Sequence, residues 1–320
     1  MLYAGSDDGV YRVDGIDEAG ASRTTKVLDS GRVMRVRSFD GVEGLFAATA
    51  SGLYHAADGE DWSRLDVPRE SVYAVGASPD GSRLYAGTRP AHVYAASLED
   101  GRVPDDPEWN EREAFQELPS REEWHTPRHE NLAHVRSLET HPDRPDRVVA
   151  GVEVGGVHLS DDHGRTWTER RTGTHDDVHE LFVVGPEEFL TATGFGLFRT
   201  ADAGRSWTRL DEHVDQRYFR SVFARDGTIY AGGGPSASPN WDDDPEHVLL
   251  VGPPDDLQPV ETPRPDELAI GWTVTDGDVL AGTHRGTLLR EADSTWRVAG
   301  TVPTPGQLRG RYLPLEWVEA

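Results

Sequence analysis

One short phrase recurs seven times along this chain: an apolar pair, a small residue, Gly or Ala, a polar turn, then a second apolar run. The copies are Leu2-Tyr3-Ala4-Gly5, Leu45-Phe46-Ala47-Ala48, Leu84-Tyr85-Ala86-Gly87, Val148-Val149-Ala150-Gly151, Phe189-Leu190-Thr191-Ala192, Ile229-Tyr230-Ala231-Gly232 and Val279-Leu280-Ala281-Gly282. Their last residues are spaced by 43, 39, 64, 41, 40 and 50 positions. A period near forty built from short strands is the spacing of a β-propeller blade. The repeats predict an all-β, seven-bladed propeller with four-stranded blades, occupying residues 1–320 as one domain.

Each repeat expands into four strands, A to D. In the second unit, 32–39 reads as A, 44–49 as B, 52–56 as C and 62–66 as D. Ser78-Pro79-Asp80-Gly81, Gly185-Pro186-Glu187, Asp226-Gly227 and Asp276-Gly277 supply hairpin turns between A and B. The chain starts directly at a B strand, while its end holds an orphan strand, Arg311 to Val318. That last segment is expected to become strand A of the first blade and close the ring, which removes edges that invite aggregation. Pro314 within it lacks an N–H for the ladder, a cost that an innermost strand facing the channel tolerates.

Two steps exceed the period. Residues 103–131 and 233–246 are extra chain, read as a D–A and a B–C connection. Both connections emerge on one face of a propeller, so both insertions are expected to decorate the same face, where loops carry binding groups.

The chain carries 57 acidic against 32 basic residues, and Lys26 is its one lysine. Such a balance resembles a halophilic protein, whose carboxylates stay hydrated in high salt while the salt screens their repulsion. A net charge of −25 speaks against nucleic-acid binding, which uses a basic stripe. There is no cysteine, hence no disulfide or thiolate chemistry. No apolar run approaches a membrane span, and strand B begins at Leu2, so a soluble cytoplasmic protein without a leader is expected.

Ser160-Asp161-Asp162-His163-Gly164-Arg165-Thr166-Trp167 and Thr200-Ala201-Asp202-Ala203-Gly204-Arg205-Ser206-Trp207 both fit Ser/Thr-x-Asp-x-Gly-x-x-Trp. In this Asp-box the Asp caps turn N–H groups, Gly takes a left-handed conformation and Trp packs between blades. Ser160, Asp162, Gly164, Trp167, Thr200, Asp202, Gly204 and Trp207 are therefore read as structural. Asp58 to Trp62 and Asp293 to Trp296 look like eroded copies.

On these motifs and the repeats, the chain resembles the Asp-box (BNR-repeat) β-propeller superfamily, and within it haloarchaeal BNR-like repeat proteins. That superfamily holds sialidases, xyloglucan-cleaving glycosidases, sortilin-type receptors and photosystem-assembly factors. The resemblance implies fold more than activity. Seven repeats and the lack of a Phe/Tyr-Arg-Ile-Pro motif depart from the sialidases, and one propeller departs from a two-propeller xyloglucanase cleft.

Histidine and arginine gather on the expected decorated face, most densely from Trp124 to Arg136. His125, Arg128, His129, Arg136, His284 and Arg285 are candidate ligand-binding residues for an anion such as a carboxylate, phosphate or sulfate. His134, His179, Tyr218 and Arg220 are candidate catalytic residues: His or Tyr as base, Arg neutralising a substrate carboxylate, as in uronate lyases. No cofactor is fixed by these residues; a divalent metal held by histidines is the one the pattern admits. The Asp242-Asp243-Asp244 run reads as a solvated turn rather than a Ca²⁺ site. Two functions follow: a propeller binding an anionic small molecule or saccharide, as a hydrolase or lyase, or a non-catalytic scaffold holding a partner protein.

Overall fold

The computed structural model describes residues 1–16, 22–126, 130–306 and 312–319. Seven sheets of four antiparallel strands are arranged as a seven-bladed β-propeller. The inner A strands are Leu315–Trp317, Val33–Phe39, Val72–Ala77, His134–His141, Val178–Val183, Tyr218–Arg225 and Ala269–Thr275, for blades one to seven. Blade two shows the predicted order: Val33–Phe39, Val42–Thr49, Gly52–Ala56 and Ser63–Leu65. Each B strand carries the repeated apolar phrase because it lies between A and C, with neighbouring blades on both faces. Leu2, Phe46, Leu84, Val148, Leu190, Ile229 and Leu280 are buried accordingly.

The ring closes as the sequence predicts. Leu315–Trp317 pairs antiparallel with Leu2–Gly5, with Leu2 opposite Trp317 and Ala4 opposite Leu315. Pro314 stands just before the ladder, where its missing N–H costs nothing, and its carbonyl accepts from Gly5 N at 2.8 Å. Glu316 Oε1 accepts from Ser38 N at 3.0 Å in blade two, and Trp317 N donates to Thr273 Oγ1 at 3.1 Å in blade seven. Glycine permits the approach of blade seven to this segment: a Cβ on Gly271 would lie 1.8 Å from the Leu313 carbonyl oxygen.

The two Ser/Thr-x-Asp-x-Gly-x-x-Trp segments form tight turns held by side-chain hydrogen bonds. Asp162 Oδ1 accepts from Thr166 N at 2.8 Å and Oδ2 from Thr166 Oγ1 at 2.7 Å, while Ser160 Oγ accepts from Gly164 N at 2.8 Å. Asp202 Oδ1 accepts from Ser206 N at 2.9 Å, and Gly204 N donates to Thr200 Oγ1 at 2.9 Å. Gly164 and Gly204 have φ near +80°, at +82° and +78°. Trp207 donates its indole N–H to Arg170 O of blade four at 2.8 Å, and Trp167 packs 4.9 Å from Phe115 of the first insertion.

The long insertion is split by a strand. Asn110–Glu111 is strand D of blade three, so 98–109 forms the C–D connection and 112–133 the D–A connection. The first part lies beside an A–B turn, with Glu43 N donating to Gly101 O at 2.9 Å. The 103–131 segment therefore reaches both faces, where the sequence suggested one. Among the described residues no helix is long and apolar enough to cross a membrane.

Two outcomes follow from this packing. Gly271→Ala should lower stability by about 1–3 kcal/mol in urea titration, because the ring must open to admit the methyl group. Hydrogen bonds from Ser206 and Thr200 hold the Asp202 carboxyl at about 2, against its usual 3.8. Its stabilisation is present above the usual value and is lost as pH falls from about 4 to about 2. Asp202→Asn should flatten that acid limb, read as urea midpoints against pH.

Candidate functional site

The inner strands break strict alternation at the same place. In six of them one extra residue is inserted against the B strand, a β-bulge that re-aims its side chain: Met34, Tyr73, Arg136, His179, Arg220 and Ile270. Tyr312, just before the inner strand of blade one, completes the set. Its ring centre lies 4.7 Å from the Arg136 guanidinium carbon and 4.6 Å from that of Arg220. Tyr73 meets it edge-on at 6.4 Å, and Met34, Tyr73 and Tyr312 form one apolar cluster. These side chains fill the propeller axis as a plug.

On the side of the plug where the A strands begin lies a buried polar network. Arg136 donates Nη1 to Glu153 Oε2 at 2.9 Å and to the Tyr312 hydroxyl, and Nε to His179 O at 3.2 Å. Glu153 Oε2 is 3.3 Å from His134 Nε2. His179 Nδ1 is 2.7 Å from Phe219 O, and its Nε2 is 3.5 Å from Asp177 Oδ1. Tyr218 packs on His179 at 4.4 Å, as Tyr73 packs on His134 at 4.4 Å. Burial would raise the Glu153 carboxyl, but His134 and Arg136 outweigh it and hold it well below the ordinary range. Burial lowers His134 and raises the Tyr218 phenol.

On the other side, along the second half of the A strands, a cavity of about 300 Å³ is lined by polar and aromatic groups from five blades. Arg35, Arg37 and Arg220 supply positive charge, Glu180 and Glu316 negative charge, and Trp272 and Tyr312 aromatic surface. Arg35 is 2.9 Å from Glu180, and Arg37 forms a two-pronged pair with Glu139 at 2.9 and 3.0 Å. Phe223 and Trp272 are stacked at 6.4 Å with a 10° interplanar angle. Burial and the nearby Arg136 bring Arg220 down to about 10, and burial raises the Glu316 carboxyl.

The structure thus brings His134, Arg136, His179, Tyr218 and Arg220 together, but of these only Arg220 lines the cavity. The other candidates do not converge with them. His284 is buried and its Nδ1 accepts from Leu268 N at 2.9 Å. Arg285 pairs with Asp242 at 3.2 Å and Asp266 at 2.5 Å on the rim. His125 is exposed, with Asn131 Nδ2 3.3 Å from its Nδ1. Arg128 and His129 lie outside the described residues. Nor is the axis a cationic funnel: Arg35, Arg37 and Arg136 each face a glutamate from another strand. Tyr312, Glu153, Asp177, Arg35 and Arg37 are absent from the sequence-derived set. The aligned start of strand A, an apolar residue, the bulged residue, then an apolar residue two further on (Val-Met-Arg-Val, Val-Tyr-Ala-Val, Val-Arg-Ser-Leu, Val-His-Glu-Leu, Phe-Arg-Ser-Val), is a signal for the bulged residues and for Arg35 beside one of them; Tyr312, Glu153, Asp177 and Arg37 fall outside it.

No protein-family model and no curated protein sequence matches the chain. Solved structures do resemble it. The GH74 xyloglucanase from Xanthomonas campestris superposes with a TM-score of 0.59 at 18% identity, covering 90% of this chain and 46% of that one. An ancestral GH74 enzyme gives 0.61 at 14% identity, covering 84% of this chain and 38% of that one. YCF48 bound to D1 peptide gives 0.58 at 15% identity, with 83% and 81% covered. The chain spans less than half the length of these GH74 structures, and the likeness shows the propeller fold.

Removing one partner of the buried Arg136–Glu153 pair strands the other charge. Arg136→Met should cost about 3–5 kcal/mol in chemical denaturation, and adding Glu153→Gln should return part of that loss.

Proposed function

We propose that this propeller binds a small anionic molecule in its axial cavity, a carboxylate-bearing saccharide being the class that fits. The observation that carries the proposal is the cavity wall itself: Arg35, Arg37 and Arg220 beside Trp272 and Tyr312 in about 300 Å³. That volume is at the small end of ligand sites, which combine apolar and aromatic walls with a few placed polar groups. Guanidinium groups match a carboxylate's two oxygens, and an indole face packs against a sugar ring's C–H surface. Of the two buried guanidiniums that flank Tyr312, Arg220 lines the cavity, so an anion there would offset its repulsion with Arg136. The xyloglucanase neighbour is named for a neutral saccharide, so the carboxylate of the proposed ligand is argued from the arginines of this wall.

Hydrolase or lyase chemistry on such a ligand would draw on Glu180 and Glu316, the carboxyl groups on this wall. Burial raises Glu316, as suits a general acid. His134, His179 and Tyr218 do not line the cavity. The partner-protein alternative gains less from the surface. Among the described residues the exposed large apolar side chains are Met1, Phe195 and Val298, which stand in three different blades. We further propose that the chain belongs to the Asp-box superfamily that its motifs resemble, a reading supported by the hydrogen bonding of the two turns.

Calorimetric titration with glucuronate, galacturonate and their short oligomers, beside neutral glucose and xylose oligomers, tests the binding. An acidic sugar should bind, and Arg220→Gln and Trp272→Leu should each weaken it roughly tenfold or more, which is about 1.4 kcal/mol. Binding of neutral sugars alone, or unchanged affinity in both folded variants, would refute the proposal. Assay of reducing ends and unsaturated products in the same samples reads turnover.

A further inference from the structure

We propose that Glu153, Asp177 and His179 form a binding site for a first-row divalent cation, such as Zn²⁺ or Mn²⁺, at the strand-start end of the axis. One donor atom from each of the first three lies within 4.8 Å of the others. They come from two blades: Glu153 ends strand B of blade four, and Asp177 and His179 stand at the start of strand A of blade five. His134 opens strand A of blade four, directly opposite Glu153 in the ladder.

The hydrogen bonding around His179 sets its tautomer. A backbone carbonyl only accepts, so the 2.7 Å contact with Phe219 O puts the proton on Nδ1. Nε2 then presents its lone pair toward Asp177 Oδ1, 3.5 Å away, with Glu153 close by. Three electron-rich atoms converge, and a cation among them would add to the compensation that Arg136 already gives Glu153. The spacing favours a metal over a shared proton. A charge-assisted hydrogen bond draws nitrogen and oxygen to about 2.7–2.9 Å. Two ligands each about 2.1 Å from a tetrahedral metal stand about 3.4 Å apart. The 3.5 Å between His179 and Asp177 matches the second figure.

The surroundings are built like the outer shell of a metal site. Metal-binding imidazoles commonly donate their other N–H to a carbonyl, as His179 does. Glu153 Oε2 is held by Arg136 Nη1 at 2.9 Å, and its backbone carbonyl accepts from Thr126 Oγ1 at 3.1 Å. Gly194 leaves the room that Asp177 occupies, since a Cβ there would come within 2.3 Å of Asp177 Oδ2. His179 and Glu153 are 2% and 8% exposed, which leaves little room for the many waters that Mg²⁺ retains. Imidazole with carboxylate and no thiolate points to a borderline first-row ion rather than Ca²⁺.

The test uses the full chain, stripped with chelator, equilibrated with Zn²⁺ or Mn²⁺, dialysed and measured for bound metal and melting temperature. One equivalent per chain and a raised melting temperature are expected for at least one of the two ions. Asp177→Asn and His179→Gln, checked for folding by circular dichroism, should each weaken metal affinity about tenfold or more. Sub-stoichiometric metal in the wild type, or equal binding in folded variants, overturns the site. If neither variant folds, Co²⁺ titration of the wild type decides. Ligand-field absorption that saturates at one equivalent and is displaced by Zn²⁺ supports the site, and its absence overturns it. No sugar enters these measurements, so failure of the saccharide reading leaves them intact.

Discussion

The bulge shared by six inner strands is the constraint from which the axis of this molecule follows. A regular A strand would send alternate side chains to its two neighbouring blades and leave the axis to whatever protruded. Near the start of each of these strands one inserted residue, Met34, Tyr73, Arg136, His179, Arg220 or Ile270, breaks that alternation instead. Blade one contributes no such bulge; the segment before its inner strand delivers Tyr312 to the same plug. Ring closure and axial packing are therefore one event, because the residues that pair with Leu2–Gly5 follow directly after the tyrosine that Arg136 and Arg220 flank.

Filling an axis with arginine demands compensation, and the chain supplies it across blades. Arg35 of blade two reaches Glu180 of blade five, and Arg37 reaches Glu139 of blade four. Arginine suits this role better than lysine. Its planar fork bonds a carboxylate, a backbone carbonyl and an aromatic face at once. Arg35 does the first two, with Nη2 on Glu180 and on Arg136 O, and Arg136 does all three.

The blades, their turns and the closing strand were legible because each is written in local sequence: a period near forty, Asp-Gly turns, and an A strand present at one end and missing at the other. The Asp-box turns were legible for the same reason. Charge pairing was not. Arg37 and Glu139 are 102 residues apart, and Arg136 and Tyr312 are 176 apart, so no local pattern links them. His134, Arg136, His179, Tyr218 and Arg220 come near one another because all lie at the starts of A strands. His284 and Arg285 lie apart from them because they follow a B strand, and backbone and acidic partners hold them there.

The insertions bear on which end of the axis meets solvent. Long loops suggest a decorated mouth, yet their aromatic residues are spent on closing one. Trp241 of the second insertion is buried against Tyr218 at 6.2 Å and His284 at 5.4 Å, with its indole N–H on Ser236 O. The first insertion buries Phe115 and Trp124 against His158 and ends by bracing Glu153 through Thr126. Both therefore stiffen the end that holds the histidine–carboxylate network. The cavity lies at the other end, among strands joined by short A–B turns that leave the axis uncovered. A loop's length measures how much chain is available, and in this propeller the aromatic residues of that chain pack at one pole while the cavity lies at the other.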